Sequence, residues 1–485
     1  MVVNSLAFIG FFLPVLVVYY LLQRNARWQN VMLLAASYWF YAQIDLRMAA
    51  LLALMTLVFW LLGAAIGRAV EGERMRRAAW LVNVGVVVGV GALFYFKYLN
   101  FFASSVVAAA NAVGLHLSWT AVHLLVPVGL SFFSFKLMSY VLDIYHGKLE
   151  AERGIVDFAC YIAFFPTILS GPIDRPKPFL KQLRQRRKPD AEQLMAGLRR
   201  VLWGMFMKMC VADRLDLYVS AVLDNYPHHS SWSVLLACLL YPVQMYADFG
   251  GYSEMAIGVA QMMGLRVAEN FRRPFFATNV AEYWRRWHMS LTSWLTDYVF
   301  MPCNIKLRDW GLWGTCTAIL LNMLFVGLWH GANWTFFFFG LYHGLLFVPL
   351  MVSGQFFRKQ KVQTGRSGLP KAPFVGKMVL TFLLVAVGQL IFRAPSMGEA
   401  VGIAVRAATA WQGSLFVDMN TMVNAALCLA VLFLADVHDE WMPQRSMRLP
   451  AWAEPWRWPL CVALEIVAIL LFGIFDNNQF IYFQF

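Results

Sequence analysis

The chain has 485 residues, of which 60% are hydrophobic and 14% charged, and its formal net charge is +13. Soluble domains run to roughly 45–50% apolar and about 25% charged residues, so this composition excludes a soluble enzyme and implies an all-α polytopic membrane protein. Cytoplasmic loops collect Lys and Arg, and no nucleic-acid-binding module accompanies the basic charge, so no nucleic acid partner is expected. The seven cysteines show no C-x-x-C and no Cys/His spacing suited to zinc, which leaves neither a metal nor a disulfide framework to expect.

Asn4–Gln23, Asn30–Gln43 and Leu46–Ile66 read as three helices. The first lacks a basic leading region and a small-residue cleavage site, so it is expected to stay as a helix rather than be removed. Arg24, Arg27 and the mixed run Arg68–Arg77 fall in loops. Ala78–Phe96 reads as a crossing, Asn100–Ser118 as an interfacial helix and Leu124–Tyr145 as another crossing. Val156–Gly171 is apolar but short, and reads as a re-entrant element buried in protein, with Pro176 and Pro178 expected to stop a helix.

A strongly basic segment, Lys177–Arg200, precedes two long helices at Leu198–Leu223 and Ser233–Met263. Arg266–Arg286 is basic again. Phe357–Lys377 carries only basic charges, and crossings are expected near Met378–Phe392, Met422–Ala435 and Pro459–Phe475, before the tail DNNQFIYFQF. The count is about twelve crossings, an even number that puts both termini on one side. The basic loops fall on the other side, so the positive-inside rule makes the termini extracytoplasmic.

Chemistry concentrates in Ala281–Leu346, where His288 follows a basic, tryptophan-rich segment and His330 sits between the apolar runs Leu312–Leu328 and Trp334–Leu350. A titratable imidazole that deep costs free energy unless paired, which makes it a functional candidate. There is no G-x-S-x-G elbow, Walker loop or H-E-x-x-H, so a histidine acting as general base on a hydroxyl is the chemistry left. Asn333 follows His330 by three positions, so on a helix it would share that face and could orient the ring, although Gly331 between them weakens the case for a regular helix. His343 reads as a packing residue. Asp248 and Glu254, in YADFGGYSE, either line a tunnel or balance nearby arginines.

The blocks SFFSFKLMSYVLDIYHG, FFPTILSGPIDRP, YADFGGYSEMAIG, WRRWHMSLTSWLTDYVFMP and LWHGANWTFFFFGLYHG resemble, in order, those of the membrane-bound O-acyltransferase family. The likeness is greatest to its bacterial branch, which holds the alginate and peptidoglycan O-acetyltransferase membrane subunits and the teichoic acid D-alanyl transfer protein. It implies a single membrane-embedded domain over residues 1–485, with N-terminal helices at 1–123, a catalytic core at 124–353, C-terminal helices at 354–475 and an extracytoplasmic tail at 476–485. It also implies a helical bundle around a tunnel, His330 as the essential histidine and His288 as the second, orienting substrate or donating to the oxyanion. Trp329, Asn333 and Asp248 are tunnel or orienting candidates. Tyr482, in the aromatic tail, is the counterpart of a tyrosine that relays the acyl group.

The implied donor is acetyl-CoA, a substrate rather than a resident cofactor, and the basic segments supply cations for its phosphates without singling out a binding residue. The implied partners are membrane lipid, a periplasmic SGNH-type transferase or esterase, and a polysaccharide as final acceptor, at the bacterial inner membrane. An acyl donor carried on an acidic carrier protein, a transporter or flippase that passes a donor without chemistry, and a scaffolding subunit of an export complex are the rival readings.

Overall fold

The computed structural model describes residues 3–122, 125–356, 362–365, 368–442, 457–475 and 480. Tyr482 lies outside the described residues. The described secondary structure is helical apart from an isolated antiparallel bridge between Thr364 and Pro370. Among the described residues seven helices are long and apolar enough to cross a membrane: Leu46–Glu71, Met75–Ala112, Ser231–Met262, Arg308–His330, Trp334–Val352, Ala372–Arg393 and Met419–Trp441. Leu6–Leu21 and Trp458–Phe472 are apolar but shorter. The chain divides into two compact units, Met1–Leu198 with Ala256–Ala268, and Arg199–Met255 with Glu269–Phe485.

In the first unit, Ser5, Asn25 and Asp45 cap the helices that follow them, accepting from Phe8 N, Arg27 N and Arg47 N. These bonds satisfy first-turn N–H groups that have no carbonyl of their own. Gly63 brings the Leu46–Glu71 helix against Leu130–Tyr145, since a Cβ there would lie 2.3 Å from the Tyr140 ring. At Gly129 the backbone has φ +76° and a Cβ would lie 2.2 Å from the Ile168 carbonyl oxygen. Both the left-handed conformation and the close approach require glycine there.

Several boundaries differ from the sequence reading. The crossing expected at Ala78–Phe96 and the interfacial helix expected at Asn100–Ser118 are one continuous helical segment, joined through a π-helical turn at Phe94–Tyr98. No glycine or proline stands between Ala92 and Val113 to break it, so Lys97 and Asn100 are carried inside the helix. The helix expected from Leu124 starts at Leu130. Pro176 opens the helix Pro176–Leu183 instead of ending one, because at the first turn its missing N–H is no loss. Met397–Thr409, capped by Ser396, is a helix the hydropathy pattern did not suggest.

The second unit holds the Gly311–His330 and Trp334–Val352 helices. They form a tightly packed hairpin. A Cβ on Gly327 would lie 2.1 Å from the Phe336 carbonyl oxygen, and one on Gly340 would lie 2.4 Å from that of Met323. Backbones this close need the absence of side chains.

Candidate active site

His330 is the last residue of the Gly311–His330 helix, buried at 4% exposure. The helix stops there because Gly331 is fully extended, and a Cβ on that glycine would lie 2.1 Å from the Phe336 ring. The imidazole stands in an aromatic box: the rings of Trp329 and Phe392 are 5.0 Å away, Phe339 6.1 Å and Phe336 6.5 Å. Such walls keep water from the ring while the hairpin holds it in place.

His288 is fully buried and adopts a left-handed backbone conformation, φ +46°, just before the Met289–Leu295 helix. For a non-glycine residue this costs on the order of 1–3 kcal/mol, so the surroundings must hold it. They do so through Asn270. Its carbonyl oxygen Oδ1 lies 3.0 Å from His288 Nδ1 and accepts from the Ser290 backbone N–H at 3.3 Å and the Ser290 hydroxyl at 2.8 Å. Its backbone carbonyl accepts from Met289 N at 2.8 Å, and its Nδ2 donates to Ser253 Oγ at 3.0 Å. With Oδ1 committed to donors, the proton of a neutral His288 sits on Nδ1, and Nε2 is the lone-pair nitrogen.

Trp329 links the two histidines. Its ring is 5.5 Å from His288 and 5.0 Å from His330. Phe249 closes the other side of His288 at 4.7 Å. The sequence candidates His288, Trp329 and His330 therefore form one contiguous aromatic cluster.

The remaining candidates sit differently. Asn333 does not share a helical face with His330, because the chain breaks between them and Asn333 caps the next helix. Its Oδ1 accepts from Thr335 N at 3.1 Å and its Nδ2 donates to the Pro395 carbonyl at 2.9 Å. Asp248 is fully buried and paired with a lysine rather than with arginines: Lys208 Nζ is 2.6 Å from Asp248 and 2.8 Å from Asp213. Lys208 lies in a π-helical turn, Phe206–Ala212. Glu254 does pair with an arginine, Arg200, which also holds Glu269. His343 is buried, and its Nδ1 accepts from Trp284 Nε1 at 3.3 Å.

Phe480, two residues before Tyr482, is buried at 1% exposure, 4.6 Å from the Lys208 ammonium and 4.9 Å from the Tyr252 ring. A polar cavity of about 340 Å³ lies near the histidine cluster, lined by Arg200, Glu254, Glu269, Arg272 and Asp436 among others. Phe271 forms part of its wall and packs on Phe249 and His288. Among the described residues no group of three His, Cys, Asp or Glu side chains is placed to hold a metal ion.

Asn270, Ser253, Ser290 and Lys208 were missed from sequence. Lys208, a cation inside an apolar stretch, was the one with a visible signal. Asn270 had none, since its partners lie 17 to 20 residues away.

The profile of the MBOAT, membrane-bound O-acyltransferase, family matches residues 151–385. The protein named "Probable alginate O-acetylase AlgI" of Pseudomonas putida is 34% identical over the whole of both chains. The chain belongs to the membrane-bound O-acyltransferase family. This O-acyltransferase is also 26% identical to the peptidoglycan O-acetyltransferase of Helicobacter pylori, over 82% of this chain and 78% of that one. The teichoic acid D-alanyltransferase of Bacillus subtilis is 30% identical over 55% of this chain and 68% of its own. The membrane-bound O-acyltransferase is thus an enzyme of acyl transfer to oxygen, with the two histidines of the aromatic cluster inside the region the family profile spans.

Proposed function

We propose that this enzyme moves an acetyl group from cytoplasmic acetyl-CoA across the inner membrane for O-acetylation of an envelope or secreted polysaccharide. The observation that carries the reading is the end-to-end similarity to an alginate O-acetylase, joined to a buried histidine pair in an aromatic box. His330 is the general base. It takes the proton of an attacking hydroxyl as the oxygen bonds to the thioester carbonyl carbon. When the tetrahedral intermediate collapses, the C–S bond breaks and the imidazolium returns that proton to the leaving coenzyme A sulfur. His288, with Nε2 as its lone-pair nitrogen, suits orienting the substrate by accepting a hydrogen bond from a donor other than the attacking hydroxyl, whose one proton goes to His330.

The first acceptor in this scheme is the Tyr482 phenol, with both termini extracytoplasmic. Phe480, two residues before Tyr482, is buried beside Tyr252, which supports this reading. A phenyl ester is more reactive than an alkyl ester, so the acetyl group passes downhill to a polysaccharide hydroxyl, through a periplasmic SGNH-type partner.

Mass spectrometry of the C-terminal peptide after incubation with acetyl-CoA tests the scheme. Acetyl on Tyr482 in the parent, and none in His330→Ala or Tyr482→Phe, is the expected result. An unmodified peptide alongside His330-dependent coenzyme A release removes the relay and leaves direct transfer. Absence of both signals with acetyl-CoA, and His330-dependent acylation of Tyr482 with an acylated carrier protein, replaces the donor.

A further inference from the structure

The first unit carries a cavity of about 720 Å³ between the 174–188 segment and the 264–268 loop. Its volume falls within the ~300–1,000 Å³ typical of small-molecule sites. The walls are fixed by paired bonds. Gln182 Oε1 accepts from Arg266 N at 2.7 Å while its Nε2 donates to the Arg266 carbonyl at 3.0 Å. Asp174 Oδ1 accepts from Ala268 N at 2.8 Å. Arg187 forms a buried side of the cavity, its guanidinium donating to the carbonyls of Gln182, Leu183 and Gln185 and to Asn30 Oδ1. Gly264, at φ +76°, turns the loop close against Arg187, where a Cβ would lie 3.2 Å from that residue's own.

The lining has two kinds of chemistry. Lys181, Arg186, Lys188 and Arg266 are exposed cations that make no ion pair among the described residues, whereas neighbouring Arg184 is taken by Glu152 at 2.7 Å. Against them stands a single carboxylate. Asp174 is 5% exposed, and its second oxygen, Oδ2, is buried with no hydrogen-bond partner among the described residues. An orphaned buried acceptor calls for a donor. Burial pushes the Asp174 carboxyl up to about 6, with Lys136 and the Ala268 N–H pulling the other way, so it is ionised above that pH. Cations for phosphate beside an acceptor for a hydroxyl or amine is the recognition set of a nucleotide, and a bare phosphate has no use for the carboxylate.

We propose that this cavity binds the phosphorylated adenosine head of the acyl donor, with Arg186, Lys188 and Arg266 on its phosphates and Asp174 Oδ2 accepting from the nucleoside. The assignment rests on coenzyme A being the donor. The phosphate chemistry alone would also suit an anionic lipid headgroup, so the two sources are separated by the test.

The experiment is calorimetric titration of the full chain, in phosphatidylcholine nanodiscs, with adenosine 3′,5′-bisphosphate, which carries no thioester. Saturable binding is expected, weakened at least tenfold in Arg186→Ala/Lys188→Ala/Arg266→Ala. Asp174→Asn should weaken it severalfold while leaving the response to inorganic pyrophosphate unchanged. Unchanged binding in the triple variant overturns the site; if His330-dependent coenzyme A release then persists, the proposed reaction stands without it. If the bisphosphate fails to bind in phosphatidylcholine, and phosphatidylglycerol nanodiscs instead stabilise the parent but not the triple variant, the cavity is a lipid phosphate site. Bisphosphate binding that needs these residues, in a protein that never consumes acetyl-CoA, keeps the nucleotide site and removes the reaction.

Discussion

Asn270 Oδ1 lies 3.0 Å from His288 Nδ1 and fixes which imidazole nitrogen carries the proton. The same oxygen accepts twice from Ser290, so it cannot turn donor without losing both bonds. Replacing Asn270 with Leu frees the ring. The expected loss is on the order of 10²-fold in kcat with little change in KM, the size typical of misplacing a group that positions a reactant. Asn270→Asp keeps the geometry but places a negative charge on Nδ1–H, which favours the imidazolium and moves the acid limb of the kcat/KM profile to higher pH. An unshifted acid limb in a folded Asn270→Asp enzyme would show that His288 does not titrate during catalysis.

Gly340 in the hairpin and Gly376 in the Ala372–Arg393 helix offer a control within one protein. At Gly340 a methyl group would lie 2.4 Å from the Met323 carbonyl, a backbone atom that cannot step aside, whereas at Gly376 nothing stands within 4 Å. In a helix interior Gly→Ala gains about 1 kcal/mol from propensity. Gly376→Ala should therefore hold or raise the melting temperature in detergent. Gly340→Ala should lower it, since overpacking costs about 1–3 kcal/mol, and should also disturb His330 at the end of the same hairpin. Equal melting temperatures for the two variants would mean that the hairpin is not as closely packed as its geometry demands.

What could be read from sequence follows the range of the interactions. The histidine at the end of an apolar run was legible because hydropathy is local, and so was its aromatic setting, with Trp329 beside it and Phe336 and Phe339 within nine residues. Asn270 was not, because nothing near it marks a residue that will hold a histidine 18 positions on. Asn333 was read onto the wrong face, since periodicity assumes the helix continues and Gly331 ends it. The join of Met75–Ala112 was lost to the polarity of Lys97 and Asn100, residues a long helix can carry when the backbone bonds persist.

Lys208 is shared by two carboxylates in the second unit, Asp248 at 2.6 Å and Asp213 at 2.8 Å. The three side chains are 1%, 0% and 5% exposed in that order, so each charge depends on the others. Removing the cation leaves two buried carboxylates facing each other. Lys208→Met should be the worst single change in the group, costing about 3–5 kcal/mol, and should also loosen Phe480, whose ring lies 4.6 Å from the ammonium. Asp248→Asn leaves Lys208 paired with Asp213 and should be markedly milder. Thermal unfolding of both in one detergent ranks them, and a milder Lys208→Met would mean that the carboxylates are held neutral without it.

Asp174 should make stability fall as pH rises. Its folded-state value of about 6 lies above the ordinary carboxyl value of 3.8, because burial penalises the charged form more than Lys136 and the Ala268 N–H favour it. For a carboxyl raised on folding, the folded state holds its proton longer than the unfolded chain does. Stability from this group is thus full below the unfolded value and declines as pH climbs from about 4 through 6. A rise of this size corresponds to about 3 kcal/mol at most. Asp174→Asn keeps the acceptor for Ala268 N and removes the ionisation. The variant should match the parent at about pH 3.5, below the unfolded value, and exceed it progressively from about pH 4 up to pH 7.5 in thermal unfolding without nucleotide. With saturating adenosine 3′,5′-bisphosphate the gap should narrow, because the bound nucleoside would give the parent carboxylate the donor it otherwise lacks. A gap that ignores the ligand would detach Asp174 from the nucleotide while leaving its burial cost intact.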